Sequence, residues 1–278
     1  MQTEKIFHYT SIESLAMILS TGRLRFARLD TVDDITEART HSGIPFGKYF
    51  FVSCWTQEED DNIAQWKMYG GDMEGIRIEF PAYPFKDARL EPHGSMKAQG
   101  DMYGPIPTSE WFGHNYMIIP PVVGNTTFAG PVDYVDDVAE RYNRAIKYGK
   151  GSNGQDTLSI DKLYDLPRLK SRVWGFQSEY RFVLYAMPID PPFPPGHPIE
   201  VTPNHFNNIS QAFFNGADPG ATFIDVPFDP AALDQMVIRT GPLCTAGGEV
   251  CVKALRDKFA PNAKIESSPL QKQIRRKW

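Results

Sequence analysis

The chain contains several short strand-like segments, and the helices between them follow no regular strand–helix–strand repeat. Residues 6–9, 24–26, 49–55 and 75–80 read as strands. The third is apolar and aromatic almost throughout, and the fourth alternates between apolar and polar positions. Parallel neighbours require a long crossover between strands, usually a helix, whereas antiparallel neighbours need only a short turn. We therefore predict an α+β fold with a mixed, mostly antiparallel sheet and flanking helices.

Capping signals place the helices. Ser11 and Gly22 bracket a segment whose apolar residues share one helical face, so a helix is predicted between them. Asp61 is predicted to cap a helix that runs to Tyr69. Further helices are predicted over residues 136–148 and 248–259, with strands at 236–240 and near 264–266.

The proline-rich segment 188–195 divides the chain, because it cannot form a central strand. We predict a core domain over residues 1–190, with a loop-rich excursion at about 82–131, where Pro, Gly and aromatic residues show weak periodicity. Residues 191–278 are predicted to form a C-terminal α/β extension packed on that core, beginning with an irregular segment.

Composition limits the class of protein. A net charge of −5 with a pI near 5.7 argues against a surface built entirely for nucleic acid, although a local basic groove is compatible with it. The three cysteines have no metal-type spacing, which indicates a reducing compartment, and Cys54 is interpreted as a small core residue. No secretory leader and no membrane-spanning apolar stretch is seen, so a soluble cytoplasmic protein is expected.

A polar group of residues precedes the last strand of the predicted core, in the segment from Trp174 to Tyr185. Alternation along an extended chain puts Gln177, Glu179 and Arg181 on one side. Such a group is suited to hold ribose hydroxyls and to stabilise a developing positive charge. The alternative from spacing alone is an exposed Glu179–Arg181 ion pair on a sheet edge, which contributes little energy.

Four other groups of residues are candidates for function. His8 is placed to donate a hydrogen bond into a cleft; the alternative is a half-buried histidine whose hydrogen bonds are made with the backbone. Tyr9 faces the opposite side of the strand, so His8 and Tyr9 are not expected to line one pocket. Asp33, Asp34 and Glu37 form an acidic patch that suits a divalent ion or a capping role. Trp66 and Tyr69 form either an aromatic slot or part of the core. The basic tail, residues 270–278, suits phosphate contact or simple solvation.

Taken in order, these motifs resemble a family of uncharacterised bacterial and phage domains. The matching residues include His8-Tyr9-Thr10-Ser11, Asp33-Asp34 with Glu37, Val52-Ser53-Cys54-Trp55, Gln65-Trp66 with Tyr69, and Trp174 with Gln177, Glu179, Tyr180 and Arg181. The resemblance covers most of residues 6–185 and is weaker in the C-terminal third. The N-terminal pattern of that family is similar to ADP-ribosyltransferase-like proteins, including DNA-modifying toxins and RNA 2′-phosphotransferases.

The resemblance implies a split sheet with a cleft for NAD as substrate. By this resemblance His8 binds a ribose hydroxyl, Ser53 is the polar residue of the middle strand, and Glu179 is the catalytic glutamate. Gln177 takes the place that orients the acceptor, where the uncharacterised family more often has glutamate. Tyr69 or Tyr134 is a candidate to stack on nicotinamide. Arg25, or its neighbours Arg23 and Arg28, is a candidate to bind the pyrophosphate, since guanidinium pairs well with phosphate oxygens.

The leading hypothesis is therefore transfer of ADP-ribose from NAD to a macromolecular acceptor, protein or nucleic acid, in conflict between phage and host. Two alternatives stay open. One is a non-catalytic module that binds a nucleotide or a nucleic-acid end. The other is a metal-dependent phosphodiester hydrolase that uses Asp33, Asp34 and Glu37; the transferase needs no metal.

Overall fold

The computed structural model describes residues 5–39, 43–91, 102–119, 121, 128–150, 152, 154, 156–192 and 203–275. The strands are β1 (Lys5–Thr10), β2 (Arg23–Arg28), β3 (Phe50–Thr56), β4 (Ile76–Pro81), β5 (Ala88–Arg89), β6 (Tyr103–Gly104), β7 (Tyr116–Ile119), β8 (Ala129–Pro131), β9 (Asp133–Val135), β10 (Ile146–Lys150), β11 (Asp156–Ile160), β12 (Leu169–Ser171), β13 (Glu179–Pro188), β14 (Phe223–Pro227), β15 (Val237–Thr240) and β16 (Lys264–Ser267). The α-helices are α1 (Ile12–Thr21), α2 (Ile63–Met68), α3 (Val138–Ala145), α4 (Pro203–Phe214), α5 (Pro230–Asp234) and α6 (Ala246–Phe259). A 3-10 turn at Arg172–Gln177 leads directly towards β13.

One ten-stranded sheet organises the molecule. Its main path runs β14-β2-β3-β1-β4-β15-β16, while β13 pairs with β3 and also with β7 and β8. The pairings in this sheet are antiparallel except that of β15 with β16, which is parallel. The prediction of an α+β fold with a mixed, mostly antiparallel sheet is confirmed. None of the helices within the described ranges is both long and apolar enough to cross a membrane.

The sheet opens along one edge of β3. On one side, β13 pairs with β3 over the whole length of β3. On the other side β2 pairs only at Val52 and Phe51, and β1 pairs only at Thr56. The edge of β3 between these contacts, around Cys54, therefore faces the gap where β1 and β2 diverge.

The central strands are buried on both faces, which explains their nearly continuous apolar sequence. Phe51, Phe182 and Leu184 belong to the larger core cluster, on the side of α1. The alternate residues, such as Phe50 and Val183, belong to a second cluster on the opposite face. Because β3 and β13 have a core on each side, they form the rigid floor of the gap.

The first helix forms as its caps predict. The Ser11 hydroxyl accepts a hydrogen bond from the Ser14 backbone N–H at 3.0 Å. At the other end, Gly22 adopts a left-handed conformation with φ of 63°, which glycine accommodates without steric cost. This pair of caps fixes the direction in which β1 and β2 leave the helix.

The second helix is capped one residue later than predicted. Asn62, and not Asp61, accepts the hydrogen bond from the Gln65 backbone N–H, at 3.1 Å. Asp61 instead accepts hydrogen bonds from the Trp66 indole and from Arg239, at 3.0 and 2.8 Å. The buried guanidinium of Arg77 also lies 3.3 Å from Asp61, so this carboxylate serves a buried ion-pair cluster and not a helix end.

Other boundaries differ because tertiary pairing overrides local pattern. The helix predicted over 136–148 ends at Ala145, since Ile146–Lys150 pairs with Asp156–Ile160 in a hairpin. The predicted excursion contains β7 and β8, both paired with β13. Helix α4 occupies part of the segment expected to be irregular.

The C-terminal strands enter the same sheet as the N-terminal ones. β14 pairs with β2, and β15 pairs with β4. The division of the chain at residue 190 stays a prediction. Residues 193–202, which include the end of the proline-rich spacer, lie outside the described residues, as do residues 276–278 of the basic tail.

Candidate functional site

A cavity of about 240 Å³ lies at the gap in the sheet; we call it the Glu179 cavity. It brings together residues from β1, β3, α2, β12, β13 and two loops. Its lining is Phe7, His8, Tyr9, Val32, Asp33, Cys54, Trp55, Gln65, Tyr69, Lys170, Gln177, Glu179 and Arg181. Gln177, Glu179 and Arg181 thus face one space, although Ser178 between them is left-handed, with φ of 43°, and not extended as alternation assumes.

His8 and Tyr9 both contribute to this wall, contrary to the expectation from alternation. The reason is the gap itself, because β1 pairs with β3 only at Phe7 and leaves the strand accessible beyond that point. The Tyr9 hydroxyl accepts a hydrogen bond from the Asn62 backbone N–H at 3.0 Å, which ties β1 to the start of α2.

Glu179 lies in a buried ion-pair cluster. The alternative prediction, an exposed Glu179–Arg181 ion pair on a sheet edge, is therefore wrong. Its carboxylate accepts hydrogen bonds from Arg181, including one of 3.1 Å from Nη2, and from Lys170 Nζ at 3.1 Å. Arg181 also donates to both carboxylate oxygens of Glu37, which lies outside the cavity lining. Lys170 Nζ lies 3.2 Å from Glu37 and 3.4 Å from Asp33. The cluster holds three carboxylates and two cations.

These charges set the protonation of the site. Burial acts to raise the pKa of Glu179, but the attraction and hydrogen bonds of Arg181, together with the charge of Lys170, lower it to about 2. Burial opposes the positive charge of Lys170, yet the neighbouring carboxylates Glu179 and Glu37 raise the pKa of that amine. Glu179 and Lys170 are therefore both ionised at neutral pH.

Two hydrogen bonds link Gln177 to Asp33 through Tyr69. Gln177 Nε2 donates to the Tyr69 hydroxyl at 2.5 Å, and that hydroxyl donates to Asp33. Burial and the hydrogen bond to Asp33 raise the pKa of Tyr69, so its hydroxyl keeps its proton. The Gln177 side-chain oxygen is buried and has no hydrogen-bond partner among the described residues.

His8 presents an acceptor and not the donor expected from the sequence. Its Nδ1 donates to the Cys54 carbonyl at 2.9 Å, across the open edge of β3. Burial lowers the pKa of His8, so the ring is neutral at neutral pH and Nε2 is its free acceptor. The ring also packs 5.1 Å from that of Trp55, which holds its orientation.

A second cavity of about 400 Å³ adjoins the first; we call it the Arg25 cavity. The two share His8, Val32 and Cys54. Ser53 and Arg25 line only the second cavity, whereas Tyr69, Gln177 and Glu179 line only the first. The predicted site residues are therefore distributed over two neighbouring cavities, and His8 lines both.

Both predicted site residues of the Arg25 cavity already have partners. Arg25 donates to both carboxylate oxygens of Asp225, at 3.0 and 3.1 Å, and stacks 3.5 Å from the Phe223 ring centroid. The Ser53 hydroxyl accepts a hydrogen bond from the Trp55 indole at 3.0 Å. A phosphate group that contacts Arg25 must compete with Asp225.

Several candidates lie elsewhere. Trp66 is fully buried beside Tyr9 and does not form a slot with Tyr69. The Tyr134 hydroxyl accepts a hydrogen bond from the Glu179 backbone N–H at 2.9 Å, and Tyr134 is not part of the cavity lining. Asp34 accepts hydrogen bonds from Thr36 and does not join Asp33 at the cavity. The described residues contain no group of three or more His, Cys, Asp or Glu side chains suited to a metal ion.

The sequence does not predict two residues of the site as site residues. Lys170 is a lysine in a short segment without a recognisable motif, and only the fold brings it to Glu179. Cys54, interpreted as a core residue, lines both cavities. Burial, with the charge of Glu179, raises the pKa of its thiol well above the usual range, so it is not a thiolate at neutral pH.

Comparison with known proteins gives no relative: no protein-family model, curated protein or solved structure matches the chain. The geometry of the two cavities is therefore the basis for inferring what the chain does.

Proposed function

We propose that the chain binds NAD across the Glu179 and Arg25 cavities and transfers ADP-ribose to a macromolecular acceptor, on an ADP-ribosyltransferase-like split sheet. One observation carries the proposal: His8 and an ionised Glu179 line the same cavity, at the gap where β1 and β2 diverge from β3. The two neighbouring volumes, about 240 and 400 Å³, together fall in the range of about 300–1,000 Å³ typical of small-molecule sites. A role in conflict between phage and host rests on the sequence resemblance alone.

The residues suit the bond that such a reaction breaks. Cleavage of the nicotinamide–ribose bond passes through an oxocarbenium-like state, whose growing positive charge a carboxylate stabilises. Glu179 supplies that carboxylate, and the cluster of Asp33, Glu37, Glu179, Lys170 and Arg181 carries one more negative than positive charge. His8 Nε2 accepts a hydrogen bond from a ribose hydroxyl, and the Tyr69 ring forms a wall for the nicotinamide.

Replacing the carboxylate tests the catalytic assignment. Glu179→Gln keeps the shape of the side chain and removes its charge, so we expect loss of nicotinamide release from labelled NAD. Glu37→Gln is the matched control, because it also removes a buried carboxylate from Arg181 but does not line the cavity. Comparable loss in both variants would assign the effect to the ion-pair cluster as a whole. NAD turnover at the parental rate in Glu179→Gln would refute the assignment.

Calorimetric titration tests the cofactor site. His8→Ala removes both the cavity wall and the ring acceptor, so we expect weaker NAD binding. Loss of one such hydrogen bond corresponds to about a tenfold change in affinity. The control is His114→Ala, an exposed histidine that lines neither cavity. Unchanged NAD affinity in His8→Ala would remove His8 from the site.

A non-catalytic nucleotide-binding module is the second candidate. The observation that favours it is the engagement of both Glu179 carboxylate oxygens by Arg181 and Lys170. A carboxylate neutralised in this way is well suited to hold the site together and less available to a developing cation. This candidate predicts saturable NAD binding without nicotinamide release, so the two assays above distinguish it from the transferase.

A further inference from the structure

Exposed apolar side chains lie close along the chain to residues that line the Glu179 cavity. Each lies within a few residues of a cavity-lining residue along the chain, on the loop after β2, on α2 or on the turn before β13. They are Ile35, Ile63, Met68, Val173 and Phe176, and their exposed fractions range from 40% for Phe176 to 78% for Val173. Large apolar residues grouped on a surface mark an interaction site more often than scattered ones do.

Hydrogen bonds bring two of these segments together. The Asn62 side-chain amide donates to the Phe176 carbonyl at 2.9 Å, and the Gln65 amide donates to the Gln177 carbonyl at 2.8 Å. These contacts fix the start of α2 against the turn before β13. Ile63 and Phe176 are therefore neighbours beside the cavity, on a preformed surface.

The loop between β3 and α2 adds negative charge to this surface. Glu58 and Asp60 are exposed and form no ion pair with any described residue. Thr56 anchors the loop, because its hydroxyl accepts from the Glu58 backbone N–H at 3.2 Å and donates to the Ser178 carbonyl at 3.0 Å. The loop therefore lies next to the turn before β13.

Two of the nearby basic side chains are neutralised, whereas Arg39, on the loop that carries Ile35, is exposed and forms no ion pair with a described residue. Lys67 pairs with Asp72, and Arg172 pairs with Asp136 at 2.7 Å. Glu58 and Asp60 outnumber Arg39, so the net uncompensated charge next to the apolar group is acidic. Such a surface repels a phosphate backbone and attracts a cationic partner.

An unpaired polar atom belongs to a residue of the cavity wall. Gln177 is only 4% exposed, it lines the cavity, and its side-chain oxygen has no partner among the described residues. A buried acceptor without a partner is costly, and a hydrogen-bond donor from a bound partner relieves that cost.

We propose that this rim, formed by Ile35, Ile63, Met68, Val173, Phe176, Glu58 and Asp60, binds a basic polypeptide segment with apolar residues. The segment presents a donor-bearing group to Gln177 at the cavity wall. This inference rests on the proposed function, in which that polypeptide is the acceptor of ADP-ribose, and it selects protein over nucleic acid.

Binding is measured first without NAD, on the full chain, by fluorescence anisotropy. The probes are a labelled peptide of alternating Lys and Leu, a matched peptide of Glu and Leu, and single-stranded DNA and RNA of similar length. We expect the Lys–Leu peptide to bind, and the other three probes to bind at least about tenfold more weakly. Binding of the basic peptide is expected to weaken as salt rises.

Two double variants test the rim. Glu58→Lys with Asp60→Lys is expected to weaken basic-peptide binding about tenfold, and Val173→Ser with Phe176→Ser is expected to weaken it by a similar factor. The charge-matched control is Asp161→Lys with Asp257→Lys, on segments that contribute nothing to either cavity. This control is expected to bind as the parent does.

The outcomes separate the rim from the chemistry. Tighter binding of an oligonucleotide than of the basic peptide, or unchanged peptide affinity in both rim variants, overturns the proposed partner. Nicotinamide release to water is expected to be unchanged in the rim variants, because none of the four residues lines the cavity. Peptide binding in a parent protein that releases no nicotinamide would keep the rim and reject the transferase.

Discussion

The charge on Glu179 makes an acid-dependent contribution to stability that can be isolated by difference. Its pKa falls from an ordinary 4.5 to about 2 in the folded protein. A carboxyl group with a lowered folded pKa stabilises the protein above its unfolded pKa, and that contribution is lost as the pH falls towards the folded value. The stated values correspond to about 3 kcal/mol at pH 7 and about 2 kcal/mol at pH 3.5.

The perturbation is Glu179→Gln, and the measurement is urea unfolding of parent and variant at pH 7, 5 and 3.5. Glutamine does not titrate, so the difference in unfolding free energy between the two proteins is expected to shrink by about 1 kcal/mol from pH 7 to pH 3.5. Acids that lie far from this cluster titrate alike in both chains and cancel in the difference. The control is Glu110→Gln, which removes the exposed partner of Arg23 and is expected to cost about 1 kcal/mol or less.

A difference that does not change with pH would show that the folded protein does not lower the pKa of Glu179. A difference that grows as the pH falls would show that burial dominates over Arg181 and Lys170, so that the carboxyl is protonated in the folded state. Either result would refute the electrostatic account of the site.

Three further changes have expected outcomes. Lys170→Met removes a cation that lies within 3.4 Å of three carboxylates. We therefore expect the unfolding free energy, measured by denaturant titration, to fall by about 3 kcal/mol. An unchanged unfolding free energy would show that Arg181 alone balances the cluster. Asp61→Asn leaves the buried Arg77 undercompensated and removes one of the two partners of the partly buried Arg239. We expect a cost of about 3 kcal/mol by thermal and chemical unfolding, against about 0.5 kcal/mol or less for Asp60→Asn at the exposed neighbouring position. Gly22→Ala places a side chain at φ of 63° with no steric neighbour, so we expect a backbone cost of about 1 kcal/mol, and equal stability of the two proteins would contradict it.

Local rules predicted the elements whose signals are strong and contained within a short segment. The β1–α1–β2 unit follows from Ser11, Gly22 and one apolar face. The predicted strand at 236–240, the predicted helix at 248–259 and the strand near 264–266 are confirmed within about two residues. At these positions secondary-structure propensity, capping residues and the apolar pattern all indicate the same element, so the sequence is sufficient to predict it.

Elements that depend on distant partners were missed. Helix α4 contains asparagine and histidine, which have low helix propensity, although Ile209 and Phe213 are buried on one face. Strands β7 and β8 are short, and pairing with β13 defines them. Strand β4 alternates between apolar and polar positions in the sequence, which predicts a strand with one solvent-facing side. In the structure, packing on both faces also buries Arg77, and Asp61 compensates the charge of that guanidinium.

The candidate site could be predicted in outline but not in electrostatics. Spacing placed Gln177, Glu179 and Arg181 together, and the sequence placed His8 at the cleft. It gave no sign that Glu37 would meet Arg181, because that contact joins positions far apart in the chain, or that the turn between Lys170 and Glu179 would bring those two together. The donor or acceptor state of His8 likewise depends on the Cys54 carbonyl across the sheet.

The position of the last strands in the sheet has a consequence for any shortened form of the chain. Strand β14 covers one edge of β2, and β15 covers one edge of β4. A polypeptide cut after residue 190 loses both covers and presents two rows of unpaired N–H and C=O groups to solvent. Uncovered strand edges recruit strands from other molecules. Such a fragment is expected to aggregate, and expression of the N-terminal part alone would yield insoluble material.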